Sequence, residues 1–312
     1  MHLGHEVTLF ATADSETSGT LVATSPSGWS EDATVEPKVA ESVHIAEVFE
    51  RAAEFDIIHN SFDFLPLTYS RLVDTPVVTT IHGFSSPKIV PVYERYNDTV
   101  AYVAISDADR HPRLSYAATI HHGIDTDTFH LSLAPSDYLL FFGRIHPDKG
   151  TAHAIEVARA AGRPLVIAGI IQDEEYFRER IAPYLDDEWV RFVGPVGGDQ
   201  RLRLLADAHA LLHLVEFDEP FGFSVVEALA CGTPVIANQR GSMPEIIDHG
   251  ATGFLVAGTA QAVDAVRRVG MLDRKAIRSS AVGRFNVRVM VERYVGVYEA
   301  VLEGRSAAVG SR

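Results

Sequence analysis

The sequence predicts an α/β fold made of two Rossmann-like domains, each a doubly wound parallel sheet, that face each other across a cleft. The chain has 312 residues, which at roughly 150 residues per domain corresponds to two domains. Hydrophobic residues make up 46% and charged residues 22% of the chain, as in ordinary globular proteins. Short segments rich in Val, Ile and Phe alternate with helix-like stretches, and alternating strands and helices give a parallel sheet.

Ten short apolar segments predict the strands, because strands buried on both faces are apolar throughout. In order, these segments are 6–10, 56–59, 76–81, 100–106, 118–121, 138–142, 164–168, 189–193, 210–215 and 234–237. Between them, stretches such as 151–161 and 199–207 are long enough for a crossover helix. The pattern favours ligand binding at the carboxyl ends of the strands, where sheets of this kind bind their ligands.

The composition of the segment 131–137 predicts a linker. It divides the chain into an N-terminal Rossmann-like domain, 1–132, and a C-terminal Rossmann-like domain, 133–286. The segment 287–304 is predicted to form one amphipathic helix that packs back on the first domain.

The charge distribution excludes several classes of partner. The net charge is −15, and residues 1–130 hold 19 acidic and 7 basic residues. Nucleic acids and anionic membrane surfaces require clustered Lys and Arg, so neither is an expected partner. No run of apolar residues is long enough for a transmembrane helix, and no secretory signal is recognisable. A single cysteine, Cys231, and the absence of zinc-ligand spacing predict a cytoplasmic protein without a metal site.

The glycine pattern excludes two common phosphate-binding motifs. The 23 glycines never occur as Gly-x-Gly, and no glycine precedes Lys-Ser or Lys-Thr. A dinucleotide-binding fingerprint and a P-loop are therefore both absent.

The segment 142–150 is the first candidate phosphate-binding loop. It follows a predicted strand and precedes a predicted helix, and it carries Arg144 and Lys149. A planar guanidinium and an ammonium suit two phosphate groups. The alternative is that both are solvated loop cations.

The segment 216–234 is the second candidate. Gly222 and Ser224 open a predicted helix that runs to about residue 230, and its first amides favour an anion. Glu219 precedes the helix and Glu227 lies inside it, so two carboxylates could accept hydrogen bonds from sugar and ribose hydroxyls. Alternatively, Glu219 only stabilises the helix dipole and Glu227 faces solvent.

Together, these segments resemble the retaining glycosyltransferases of family four, which have the GT-B fold. The family's Glu-x7-Glu motif matches 219–227, and its continuation matches 228–235 and 241–245. Its diphosphate loop matches Gly143-Arg144 with Lys149-Gly150. The segment 122–125 resembles the family's Asn-Gly-Ile/Val-Asp stretch, with His122 in place of Asn. The resemblance extends from about Leu3 to Leu302.

The resemblance implies a role for each matching residue. Arg144 and Lys149 would hold the donor diphosphate, and Glu227 the ribose hydroxyls. Glu219 would contact the donor sugar, with Phe221, Gly222, Phe223 and Ser224 supplying backbone amides. Val196 would meet the base through its main chain. His82 would face the donor sugar from the N-terminal domain, although by itself it is only a polar residue after an apolar strand.

The resemblance further implies transfer of a sugar from a nucleotide-diphosphate sugar to a sugar or small-molecule acceptor, by front-face displacement without a metal or other cofactor. Two Asp-x-Asp pairs, 107/109 and 125/127, are interpreted as caps of turns or helices rather than metal ligands.

One departure from the family concerns the beginning of the chain. A first strand and a glycine-rich loop precede the segment matching 4–10 in that family, and neither is found here. We expect either an upstream start or a poorly active N-terminal domain. One alternative is therefore a sugar-nucleotide-binding protein with little or no transfer. A separate alternative is another GT-B enzyme, such as a nucleotide-sugar epimerase or a phosphorylase.

Overall fold

The computed structural model describes residues 4–28, 34–84, 86–186 and 188–310, of which 305–310 are described by their backbone alone. The predicted start of the family resemblance, Leu3, lies outside these residues. The chain forms two compact units. The first comprises Met1–Val103, Arg113–Ala117 and Tyr298–Arg312, and the second comprises Ala104–Pro112 and Ala118–Val297. The predicted division at residue 132 and the packing of 287–304 stay predictions.

The strands of the described residues are β1 (Thr8–Ala11), β2 (Thr20–Ala23), β3 (Ile58–Asn60), β4 (Val77–Ile81), β5 (Ala101–Ala104), β6 (Tyr116–Thr119), β7 (Leu139–Phe142), β8 (Leu165–Ala168), β9 (Val190–Phe192), β10 (Ala210–His213), β11 (Val235–Asn238) and β12 (Gly253–Val256). The helices are α1 (Pro37–Glu50), α2 (Val90–Arg95), α3 (Thr151–Ala161), α4 (Glu174–Tyr176), α5 (Gly198–Asp207), α6 (Phe223–Ala230), α7 (Met243–Ile246), α8 (Thr259–Arg268), α9 (Arg274–Phe285) and α10 (Val287–Gly310).

The second unit contains a parallel sheet of six strands in the order β12-β11-β10-β7-β8-β9. The chain builds outward from β7 through β8 to β9, and then continues on the other side of β7 through β10 and β11 to β12. The strand order therefore reverses between β7 and β10. In a doubly wound sheet, this reversal opens a crevice at the carboxyl ends of the two strands.

Alternation along β10 explains how both faces of this sheet are covered. Leu211 packs in a buried cluster with Val226 of α6, whereas Leu212 packs in a second cluster with Ile155 of α3. Neighbouring residues of a strand point to opposite faces, so an apolar segment contributes to both clusters. The sheet is thus buried on both sides, as its continuous apolar strands predicted.

The first unit contains a two-stranded parallel sheet, β1-β2, and a four-stranded sheet in the order β3-β4-β5-β6. Its core includes Ile45 and Phe49 of α1, together with Tyr93 and Tyr102. Within the described residues, β1 and β3 each lie at the edge of their own sheet. His82 directly follows β4 in this unit.

The predicted strands are confirmed, with ends shifted by a few residues. The largest displacement is that of 118–121, because the strand observed there is Tyr116–Thr119. Sequence analysis did not identify β2 or β12, and it named no helix that corresponds to α1, α2, α4, α7, α8 or α9. Both missed strands have four residues and lie at the edges of their sheets. None of the helices in the described part of the chain has the length and apolar character needed to cross a membrane.

Candidate functional site

A cavity of about 210 Å³ lies at the carboxyl ends of β7 and β10, where the strand order reverses. It belongs entirely to the second unit. The residues that line it are Phe141, Phe142, Gly143, Arg144, Lys149, Leu212, His213, Val215, Glu219, Gly222, Phe223 and Ser224. Both candidate segments of the sequence analysis therefore contribute to one cavity.

The loop after β7 brings two cations to this cavity. Arg144 is exposed, and its guanidinium donates a hydrogen bond to the side chain of Gln172. Lys149 ends a short 3-10 helix, Pro147–Lys149, and Gly150 follows it with a φ of 74°. A Cβ on Gly150 would lie 2.1 Å from the carbonyl oxygen of Leu214, so only glycine lets the loop approach the chain beyond β10 this closely.

Lys149 and Glu219 form an ion pair in the wall of the cavity. The ammonium donates to Oε2 of Glu219 at 2.7 Å, and each side chain is 15% exposed. The ammonium also lies 4.4 Å from the centre of the Phe217 ring. Lys149, which is expected to bind the diphosphate, and Glu219, which is expected to bind the sugar, therefore neutralise each other.

The segment Gly241-Ser242 holds the backbone of Glu219 in place. The amide of Ser242 donates to the carbonyl oxygen of Glu219 at 2.9 Å. The single hydroxyl proton of Ser242 is shared between the carbonyl oxygens of Glu219 at 2.9 Å and Phe221 at 2.8 Å. A Cβ on Gly241 would lie 2.5 Å from the Glu219 amide nitrogen. Sequence analysis matched these residues to the family without assigning them a role. A Gly-Ser pair shortly after a predicted strand was the sequence feature that could have indicated this role.

Helix α6 begins at the rim of the cavity. Gly222 has a φ of 95°, and no side chain caps the helix. Gly222, Phe223 and Ser224 line the cavity. Phe221 does not line it, since its ring is 3% exposed and packs edge-on to Phe223 in an aromatic cluster. The contribution of these backbone amides to ligand binding stays a prediction.

Glu227 is not among the residues that line the cavity, and its predicted contact with ribose hydroxyls stays a prediction. It is 5% exposed in α6, and its carboxylate accepts a hydrogen bond from Arg201 of α5. Burial raises its pKa, and the Arg201 guanidinium opposes this effect. The interpretation of Glu227 as a solvent-facing residue is wrong. Arg201 was missed, since nothing in the local pattern of 199–207 links it to a residue 26 positions away.

Two further predicted residues lie elsewhere. Val196 precedes α5 and packs against the core of the second unit, outside the lining of the cavity. His82 belongs to the first unit. Their predicted contacts with a base and a donor sugar stay predictions.

His213 is a cavity residue that sequence analysis did not identify. It is the last residue of β10, 7% exposed, and Nε2 lies 3.8 Å from Oε2 of Glu219. Burial, together with the Lys149 ammonium, lowers its pKa to about 3, so the imidazole is neutral. An apolar strand that ends in a histidine was the available signal, and the sequence analysis placed this residue inside a strand.

The Asp-x-Asp pairs make local contacts. Asp125 accepts a hydrogen bond from the Asp127 amide at 3.1 Å and caps a 3-10 helix, which confirms the predicted capping role. Asp107 instead accepts the hydroxyl of Thr119 at 2.5 Å. The amides of Asp107 and Ala108 are bound by Glu245. Within the described residues, no three His, Cys, Asp or Glu side chains are grouped as metal ligands would be.

Residues 127–276 match the family described as glycosyl transferases group 1. The match covers 150 of the 312 residues, just under half of the chain. The matched region contains Arg144, Lys149, Glu219 and Glu227. A solved structure of AviGT4, a glycosyltransferase involved in avilamycin A biosynthesis, is similar to this chain with a TM-score of 0.72 and 29% identity, covering 97% of this chain and 86% of that one. The fold is GT-B, with two Rossmann-like domains, as predicted.

Two curated relatives are similar over different lengths. The D-inositol 3-phosphate glycosyltransferase of Pseudarthrobacter chlorophenolicus is 33% identical over 156 residues, which are 47% of this chain and 35% of that protein. The phosphatidyl-myo-inositol mannosyltransferase of Mycobacterium leprae is 26% identical over 282 residues, which are 80% of this chain and 74% of that protein. The match to the first relative therefore spans about a third of its length.

Proposed function

We propose that this protein is a group 1 glycosyltransferase that transfers a sugar from a nucleotide-diphosphate sugar to an acceptor hydroxyl, with retention of the anomeric configuration and without a metal ion. The observation that carries this proposal is the convergence of Arg144, Lys149, Glu219 and the first turn of α6 on one cavity. The cavity lies at the reversal of a doubly wound sheet, where such folds bind their ligands.

The donor diphosphate would lie between the loop after β7 and the start of α6. Arg144 supplies a planar pair of donors and Lys149 a point charge, while the helix N-terminus favours negative charge. Lys149 must leave Glu219 to reach a phosphate. This exchange separates a largely buried ion pair, and the incoming anion replaces the carboxylate as the partner of the ammonium.

The released Glu219 carboxylate would accept hydrogen bonds from the hydroxyls of the donor sugar. Glu227 would bind the ribose. Its Oε1 atom already accepts from Arg201, but a carboxylate has about four lone-pair sites, so ribose hydroxyls can be added. Arg201 would then orient Glu227 from the side of α5.

The proposed chemistry is a front-face displacement. The bond between the anomeric carbon and the diphosphate oxygen breaks, and the acceptor oxygen bonds to the anomeric carbon on the same face. The acceptor's proton passes to the departing diphosphate. Arg144, Lys149 and the helix N-terminus would stabilise the negative charge that develops on the leaving group, since positioned donors are most effective where charge develops.

The acceptor would be a hydroxyl of a sugar or of another small molecule. The names of two relatives refer to inositol compounds, one of them a phosphate and the other a lipid. Residues 1–130, with 19 acidic and 7 basic residues, disfavour an anionic acceptor. Localisation in the cytoplasm is part of the same proposal.

The test is incubation of the protein with UDP-, GDP- and ADP-sugars and a panel of sugar acceptors, with and without EDTA. We expect one donor to be consumed at the same rate in both conditions, and NMR of the product to show the anomeric configuration of the donor. Inverted product, or activity lost to EDTA and restored by a divalent cation, would contradict the mechanism. Donor binding without transfer or hydrolysis would favour a sugar-nucleotide-binding protein instead.

A further inference from the structure

His213 lines the cavity and carries a buried ring nitrogen that no contact in the fold satisfies within the described residues. Its side chain is 8% exposed, and Nε2 is buried without a hydrogen-bond partner among the described residues. A buried polar atom without a partner destabilises the folded state, so such an atom calls for an explanation. Leu212 and Leu214, on either side of His213 in the chain, are apolar and buried.

A carboxylate oxygen of Glu219 faces Nε2 of His213, but Lys149 already binds that oxygen. Oε2 of Glu219 lies 3.8 Å from Nε2 of His213, too far for a hydrogen bond, and 2.7 Å from the Lys149 ammonium. The imidazole is neutral, so it carries one N–H group, which Nε2 can hold. Lys149 and His213 therefore flank the same carboxylate oxygen, and only Lys149 binds it in this state.

We propose that His213 is a positioning residue for Glu219 and becomes the hydrogen-bond donor to Oε2 when Lys149 moves to the donor diphosphate. The carboxylate is then held in place for the hydroxyls of the donor sugar. This inference rests on the proposed function, because the departure of Lys149 requires an anion in the cavity. It predicts that His213 contributes more to the binding of a complete nucleotide sugar than to the binding of the nucleotide alone.

The first test compares His213→Leu and His213→Gln with the wild type by titration of UDP, GDP and ADP and of the corresponding glucose and mannose derivatives. In His213→Leu, we expect the affinity for the nucleotide diphosphates to fall about threefold, because Glu219 loses its partner when Lys149 moves, and the affinity for the nucleotide sugar and its turnover to fall by about tenfold or more. His213→Gln keeps a donor and should restore most of this loss.

His209→Leu is the matched control, since His209 precedes β10 at the opposite end of the same strand. It should change neither affinity. Equal losses for nucleotides and nucleotide sugars in His213→Leu, or no loss, would overturn the role of His213 alone. If the wild type bound none of the nucleotides or nucleotide sugars, the proposed function would fail and the inference with it.

A second test needs no ligand. In the wild type, His213→Leu should leave the unfolding temperature unchanged or raise it, because an unpartnered buried nitrogen is removed. In a Lys149→Met background, Glu219 is free to take the imidazole N–H, so the same substitution should now lower the unfolding temperature. Additive effects of the two substitutions would contradict the exchange of partners.

Discussion

At the residue scale, the buried titratable groups have distinct environments. His213 is kept neutral by burial and by Lys149, whereas Glu227 is buried beside a guanidinium. In the first unit, His59 bridges two hydroxyl groups, those of Tyr298 at 2.6 Å and Thr80 at 2.7 Å. Burial, with a smaller contribution from His82, lowers the pKa of His59 to about 4. Buried neutral histidines link the stability of the fold to pH.

The stability of the first unit should therefore fall on acidification. The folded-state pKa of His59 is below the unfolded value of 6.5, so its contribution is present above 6.5 and is lost as the pH falls towards 4. At about pH 5, the loss from this residue should be roughly 2 kcal/mol of the free energy of unfolding.

Urea unfolding at about pH 7 and pH 5 tests this pH dependence. His59→Gln should reduce the pH dependence, and His5→Gln, at an exposed histidine, should not. An unchanged dependence in His59→Gln would show that the linkage lies elsewhere.

At the element scale, close approaches of backbone segments set the position of the cavity loops. Gly169 follows β8, and a Cβ there would lie 1.8 Å from the carbonyl oxygen of Gly143. The Gly143 amide in turn donates to the carbonyl of Ala168 at 3.0 Å. The loop that carries Arg144 is thus fixed by the end of the neighbouring strand.

Gly169→Ala should displace this loop and weaken the binding of nucleotide diphosphates by about tenfold, because small displacements of positioned groups reduce binding and rate strongly. The matched control is Gly162→Ala, at a glycine with φ 65° and open space around it. The control should lower the free energy of unfolding by about 1 kcal/mol and leave affinity unchanged. Equal affinities of the two variants would contradict this role for the loop.

Helix α9 is fixed to the rest of the second unit by the largely buried Arg274, whose guanidinium donates to the carbonyl oxygens of Ser132, Ala206 and Ala208 and to the hydroxyl of Thr233. Arg274→Met should lower the free energy of unfolding by about 3 kcal/mol, since buried acceptors lose a charged donor. Lysine cannot provide the same fork of donors, so Arg274→Lys should not restore stability.

The control is Arg267→Met, at an exposed position of α8, which should change the free energy of unfolding by less than about 0.5 kcal/mol. Denaturant unfolding measures both, and similar values for the two variants would show that the bonds of Arg274 add little.

At the scale of the whole molecule, the sequence predicted the second unit best. Its strands are apolar on both faces, and each is followed by a helix, so the parallel sheet could be inferred without coordinates. The two cations and Glu219 lie after β7 and β10, which are neighbours in the sheet, and their convergence follows from that order. The strand order itself is not encoded in any local pattern.

The side-chain contacts of the site join residues that are far apart in the sequence. Arg201 and Glu227 are 26 positions apart on two helices, and Lys149 and Glu219 are 70 apart on two loops. No periodicity relates such residues, and only the packing of α5 against α6 and of β7 beside β10 brings them together. For this reason, the sequence analysis did not identify the Arg201 contact of Glu227 or the position of His213 beside Glu219.

The central claim is that Lys149 exchanges Glu219 for a diphosphate. Calorimetric titration of UDP, GDP and ADP into the wild type, Lys149→Met and Lys275→Met tests it most directly, because Lys275 is an exposed lysine of α9 outside the cavity. We predict that at least one nucleotide binds the wild type and Lys275→Met equally, and binds Lys149→Met about tenfold or more weakly. Binding of none of the three nucleotides, or equal binding to all three proteins, would contradict the account.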